Sequence, residues 1–491
     1  YKSMLVQLIE RETSLEVLAV EDNVELKPGC VYVAPPKWDV TVEANQLRLS
    51  EPLPDIAPKP SVNRFLASLA VAYGEYAIGA ILSGTGSDGS SGIRAIKANG
   101  GLTFAQEPNS AKYTGMPRAA IETVSVDFVL SPAGIAREIA QYVQRAPQIK
   151  VPEPSDETDG ERYRSLVRRV YEHTKIDFAG YKDTTVWRRI QRRMATTRCA
   201  DVDSYLNYTE KNPKELDALC KDILISVTGF FRDKSAFNSL KHRINEIIGR
   251  KPIGEEIRVW VAGCATGEEA YSIAILIADA LGDNLNQYSV QVFATDIDME
   301  ALNLARRGIY SHAALEETPI HYVENYFEPN ADQLEISREI REMVVFARQD
   351  LVLDPPFLRL DLISCRNVLI YFTQELQAKV LSVMRYGLAD DGYLFLGRSE
   401  NISQAEDYFS TADSKYRLFK VKPRTGTQPT GGAVKARLGV LSNQRPRKKR
   451  PSTTSLANDI ATEAYIPPSV LIDSHFSILH SMGDIHAYVH F

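Results

Sequence analysis

Along residues 161–245 the chain has almost no glycine or proline, and apolar positions such as Leu166, Val167, Val170 and Tyr171 recur at helical spacing. This pattern predicts an all-α domain. From 246 to 421 the pattern changes. Strand-like runs alternate with helical ones: IRVWVAG (257–263), a helix over 268–281, VQVFATD (290–296), a helix over 299–307, LDLISC (360–365) and YLFLG (393–397). Such alternation predicts a parallel sheet covered by helices. Residues 1–147 mix short apolar runs with Gly- and Pro-rich turns, as a further α/β domain would. Residues 148–160, including VPEPSDETDG, lack apolar periodicity and read as a solvated linker. Residues 422–460 read as a second linker, and 461–491 contain one strand-like stretch, VLIDSHFSILH. The expectation is an α/β multidomain chain without internal repeats.

Composition narrows the function classes. The chain has 491 residues, 44% hydrophobic and 24% charged, with a net charge of −6. No global basic field recruits nucleic acid. The longest apolar stretch, near Ser272–Gly282, is interrupted by Asp279 and is too short to span a bilayer. Cys30, Cys199, Cys220, Cys264 and Cys365 form no CxxC pair, which fits reduced thiols and a cytoplasmic location. The chain begins at Tyr1 with no signal peptide and reads as a fragment.

The richest local chemistry lies in RVWVAGCATGEEAYS (258–272). A β-branched strand runs into a glycine turn, then into a helix opening with Glu268 and Glu269. Glycines there let a ligand approach the backbone, and the helix N-terminus offers free N–H groups. Two carboxylates would repel a pyrophosphate but suit a cationic ligand or hydroxyl donors. A second strand ends in Asp296, placed to accept from a ribose. Helix capping and loop solvation explain either feature alone. Together they favour S-adenosylmethionine, whose sulfonium is positive.

VTGFFRD (227–233), GCATGEEAYS, FATDID, DLISCRNVLIYF (361–372) and LFLGRSE (394–400) occur in this order. Over about 161–421 the chain resembles the chemotaxis receptor methyltransferases, the CheR family. The resemblance implies methyl transfer from S-adenosylmethionine to glutamate side chains of chemoreceptors. It places Ser226, Thr228 and Arg232 at the cofactor from the segment joining the helical and catalytic domains. Glu268 and Asp296 would hold its amino-acid and ribose parts. Asp350, Leu351, Cys365, Arg366 and Asn367 would line the remainder. Ser226 and Asp350 stand where the family commonly has Asn. Arg232 would orient the accepting carboxylate and Tyr371 would shape the transfer site, core packing being the alternative for Tyr371. No metal is implied.

VWRRIQRRM (186–194) gathers Arg188, Arg189, Arg192 and Arg193 on one side of a helix. A solvated face is one reading. The resemblance implies another, contact with the acidic methylation helices of receptors. RPRKKR (445–450) lies in a Pro-rich linker without aromatics and reads as linker.

SGTGSDGSSG (83–92), followed by GG-TFAQEP-SA-Y-GMPRAAI, resembles the chemotaxis receptor methylesterases, the CheB family, over about 1–147. The resemblance makes Asp88 the acid of a Ser-His-Asp triad. No GxSxG occurs and no histidine precedes His173, so this domain is expected to be truncated and inactive. The C-terminal stretch faintly resembles the opening of a PAS module, and the spacing of His475, His480, His486 and His490 fits no tight metal site. Two further readings compete with the methyltransferase: a non-catalytic chemosensory scaffold, and a nucleic-acid amino-methyltransferase suggested by DPPF (354–357).

Overall fold

A computed structural model describes residues 4–51, 60–123, 125–145, 157–224, 227–315, 318–331, 333–422, 469–472 and 478–482. In the N-terminal region three parallel strands, Ile78–Ile81, Leu102–Gln106 and Phe128–Leu130, form a sheet. Helices Val62–Tyr73, Ser90–Ala98, Gly115–Glu122 and Pro132–Arg145 alternate with these strands, as the pattern of short apolar runs and turns predicts. Leu102–Gln106 is buried at every position, which suits a central parallel strand covered on both faces.

The helical domain comprises Glu157–Thr174, Asp183–Thr197, Val202–Lys211 and Lys214–Ile223, around a core that includes Leu166, Val170, Val186, Ile190, Tyr205 and Leu219. Asp201 and Ser204 form a reciprocal capping box at the third of these helices. Two boundaries differ from expectation. The first helix starts at Glu157, inside the stretch read as linker, where acidic residues favour a helix N-terminus. Helix Lys234–Arg250 joins the following domain, because Phe237, Leu240, Ile244 and Ile247 pack into the core of the large sheet.

That sheet has seven strands: β1 (Glu256–Ala262), β2 (Ser289–Asp296), β3 (Val344–Arg348), β4 (Leu360–Cys365), β5 (Leu388–Leu396), β6 (Phe409–Asp413) and β7 (Leu418–Val421). Their order is 3-2-1-4-5-7-6. Strands β1 to β5 are parallel, and β7 runs antiparallel to both β5 and β6. The order reverses between β1 and β4, and ligands bind at such a switch point, outside the carboxyl ends of the strands. Between β2 and β3 a small antiparallel sheet is inserted, with Gln333–Ile336 between Ile309–Ser311 and Phe327–Asn330.

Residues 427–491 form a separate unit. Its described part is an antiparallel pair, Ser469–Ile472 with Ile478–Met482. His475, His486, His490, the RPRKKR run and most of the linker and PAS-like calls lie outside the described residues. Among the described residues no helix is long and apolar enough to cross a membrane.

Candidate active site

The switch point holds a cavity. Its floor is made by Gly263 and Ala265 after β1, Asp296 at the end of β2, Gln349–Val352 after β3 and Arg366–Val368 after β4. Its roof comes from the helical domain and the joining segment, through Ile176, Tyr181, Ile223, Val227, Thr228 and Arg232, with Tyr371 at one side. The space is concave and open at one mouth, lined by both apolar and charged side chains, as small-molecule sites are.

The walls are backbone-strained where they turn. Phe231, Asp233, Ala265 and Asn367 all have positive φ although none is glycine, and such residues cluster at ligand clamps. Gly263 has φ +72°, and a Cβ there would meet Val368 Cγ2 at 2.5 Å. Only glycine fits that turn.

The charged groups are fixed by specific partners. Asp296 accepts from the amides of Asp298 (2.9 Å) and Ala265 (2.8 Å). Burial pushes its carboxyl up to about 6, against the opposing pull of those amides. Arg232 donates to the Val227 carbonyl at 3.0 Å. Arg366 pairs with Glu269 (3.1 Å) and Asp233 (2.7 Å), and Ser364 donates to the other Glu269 oxygen at 2.6 Å. Tyr371 sits on the 3₁₀ turn Leu369–Tyr371 rather than on a helix. Burial raises its hydroxyl pKa, partly offset by Arg189 and Arg232, so it stays protonated at neutral pH.

Of the residues expected at the cofactor, the fold brings Thr228, Arg232, Asp296, Asp350, Leu351, Arg366 and Asn367 to one cavity with Tyr371. Ser226 lies outside the described residues. Two of the expected residues do not line this cavity. Glu268 is absent from the cavity lining and 1% exposed, its carboxylate held by Arg94 at 2.9 Å and by the Thr266 hydroxyl at 2.6 Å. Successive helical residues point roughly 100° apart, so Glu269 is the one that faces the cavity. Cys365 is fully buried in the core beneath the sheet's end, with its thiol pKa raised by burial, and is absent from the cavity lining. Sequence reasoning also missed Glu400 of LFLGRSE. Its carboxylate accepts from Gly397, Asn367, Val368 and Leu369 amides at 2.6–3.0 Å, and so holds the β4 loop in shape. The DPPF segment is spent on packing, since Phe357 stacks on Phe293 at 4.3 Å and does not line the cavity.

The arginine run is not an open receptor face. Arg192 lies at the junction of the N-terminal and helical domains, where it pairs with Asp222 (2.7 Å) and Asp127. Lys97 pairs with the same two carboxylates at 2.6 and 2.8 Å. Burial would raise both aspartates, but the two cations outweigh it and hold both below the usual carboxylate range. Arg189 donates to the carbonyls of Lys97 and Ala98, and Arg193 makes a two-pronged pair with Glu215. Arg188 alone of the four keeps a mostly exposed side chain. The run is consumed because cations at a domain junction must be paired when water is excluded.

Asp88 is buried and accepts from the amides of Val62, Asn63 and Gly89 at 2.8–2.9 Å. In this chain it anchors the start of helix Val62–Tyr73.

Comparison with known proteins agrees with this layout. The CheR methyltransferase SAM-binding domain matches residues 226–418, the CheR all-alpha domain 161–224, and the CheB methylesterase 1–139. An uncharacterised 104.1 kDa protein of Rhodobacter capsulatus is 35% identical over 99% of this chain. The chain spans 54% of that relative's length. The chemotaxis protein methyltransferase of Escherichia coli K12 is 35% identical over 52% of this chain and 91% of its own length. The catalytic domain of Thermotoga maritima CheB methylesterase is 28% identical, covering 28% of this chain and 75% of that structure, with a TM-score of 0.27. The chain therefore belongs to the chemotaxis protein methyltransferase family, its S-adenosylmethionine-binding domain preceded by a CheB methylesterase domain.

Proposed function

We propose that the chain methylates glutamate side chains on the cytoplasmic helices of chemoreceptors, as a protein-glutamate O-methyltransferase. The observation that carries this reading is the acidic cavity at the switch point, with Arg232 and Tyr371 at its rim. When bound, S-adenosylmethionine supplies an electrophilic methyl group. Asp296 would accept from its ribose hydroxyls. Thr228, Asp350, Leu351 and Asn367 would enclose it, with the Glu269–Arg366 pair at its amino-acid end. A glutamate carboxylate, with a reference pKa near 4.3, is already ionised at neutral pH and needs no general base. What remains is alignment of that carboxylate with the methyl, a task for which the Arg232 guanidinium is suited. Helical-domain side chains such as Tyr181 roof the cavity and exclude water.

The test is incubation of the whole chain with methyl-labelled S-adenosylmethionine and a receptor cytoplasmic fragment. Base-labile label on the receptor is expected. Cofactor binding without transfer to any receptor fragment would favour the scaffold reading. Label appearing on nucleic acid would favour the amino-methyltransferase.

A further inference from the structure

Arg94 belongs to helix Ser90–Ala98 of the methylesterase domain, yet its guanidinium reaches the methyltransferase domain. Its Nη1 donates to Glu268 at 2.9 Å and approaches the carbonyl of Thr228 at 3.5 Å. Thr228 lines the cofactor cavity, and Glu268 directly precedes Glu269, which also lines it. Glu268 opens the helix that follows the glycine turn Gly263–Gly267. Thr228 lines the cavity, and its neighbour Val227 holds the Arg232 guanidinium through its carbonyl.

We infer that Arg94 is a positioning residue for the methyltransferase's cofactor site, supplied across the domain boundary by the methylesterase domain. This inference rests on the function proposed above. A carboxylate as buried as Glu268 is tolerated only with a cation beside it. Its second oxygen accepts from Thr266, and the Thr266 carbonyl accepts from Tyr310 Oη at 2.8 Å. Loss of Arg94 leaves Glu268 uncompensated, so it must take up a proton or swing out. Either change releases Thr266, next to Ala265 on the cavity floor. The same loss removes one contact to the segment that carries Thr228 and Arg232. The Escherichia coli relative, with 91% of its length inside an alignment that covers 52% of this chain, leaves little room for a counterpart of this domain. The contact is therefore a feature of the fused architecture.

The experiment is calorimetric titration of the full 491-residue chain with S-adenosylmethionine, alongside kinetics with a receptor fragment. Arg94→Ala should bind the cofactor about tenfold more weakly, the range for a lost charged hydrogen bond. Its KM for cofactor should rise while kcat at saturation stays within about twofold. Arg94→Lys should recover most of the affinity, because it restores a cation to Glu268. The control is Arg198→Ala, which removes a contact of the methylesterase domain with the helical domain, to Glu138 at 3.0 Å, and should bind as the unaltered chain does. If Arg94→Ala fails to fold, Arg94→Gln, which keeps one donor without the charge, carries the comparison. Unchanged affinity in a folded Arg94 variant would overturn the inference. Equal losses in Arg94→Ala and Arg198→Ala would overturn it too, by assigning the effect to domain docking. An unaltered chain that does not bind S-adenosylmethionine would overturn the proposed function, and the inference with it.

Discussion

Asp296 offers the sharpest perturbation of the cofactor site. Its two oxygens accept backbone amides, including those of Asp298 and Ala265, and it lines the cavity. A hydrogen bond to a charged group contributes about 1.5–3 kcal/mol, so Asp296→Ala should weaken S-adenosylmethionine binding roughly 10- to 150-fold. The effect also has a pH signature. Burial raises the carboxyl pKa to about 6 in the folded chain. The folded protein thus holds this proton more tightly than the unfolded chain, and as pH rises from the ordinary carboxylate range to about 6 this group lowers stability. Ribose hydroxyls donate more strongly to the ionised form. Affinity should accordingly be highest well above pH 6 and weaken as pH falls through it. Asp296→Asn should abolish this dependence, and its NH₂ would oppose one of those backbone amides. The assay is titration calorimetry between about pH 5 and 8, within the range where a carboxyl so shifted titrates, with folding checked by circular dichroism. Unchanged affinity in folded Asp296→Ala, or a flat pH profile in the unaltered chain, would refute the reasoning.

Three further outcomes are expected. Arg232→Ala should lower kcat about tenfold or more at saturating cofactor while retaining cofactor binding, with Arg232→Lys rescuing only part, because a point charge cannot reproduce a bidentate fork. Radiolabelled transfer with cofactor varied to saturation separates that result from a KM effect. Glu269→Ala should destabilise the α/β domain by about 1–3 kcal/mol, since it removes one of the two carboxylates paired with buried Arg366 and leaves the Ser364 hydroxyl without its acceptor, and chemical denaturation reads this directly. Given methylated receptor, this chain should release no methanol above background, because its first 147 residues contain no histidine to serve as base.

Much of this architecture is legible along the chain because it depends on local pattern. Alternating strand and helix runs place β1, β2 and β4 and the helices Glu268–Leu281 and Met299–Arg307 as expected. Parallel strands then carry Gly263, Asp296 and Arg366 to the same edge of the sheet, so motifs distant in sequence converge. What stayed hidden depends on packing. Nothing in VWRRIQRRM says that Arg192 meets Asp127 of another domain. The choice between Glu268 and Glu269 turns on one step of helical phase, and Cys365 ends a strand buried at every position. The four amides on Glu400 come from two separate loops, a convergence visible only in three dimensions.

The central claim is that this cavity methylates a carboxylate. The most direct measurement is mass-spectrometric mapping of a chemoreceptor cytoplasmic fragment after reaction with the full chain and S-adenosylmethionine, before and after mild alkali. The account predicts methyl groups on glutamate side chains that alkali removes as methanol, and their absence when Asp296→Ala replaces the unaltered chain at limiting cofactor. Alkali-stable methyl groups on amines, or an unmodified receptor in the presence of demonstrated cofactor binding, would contradict it.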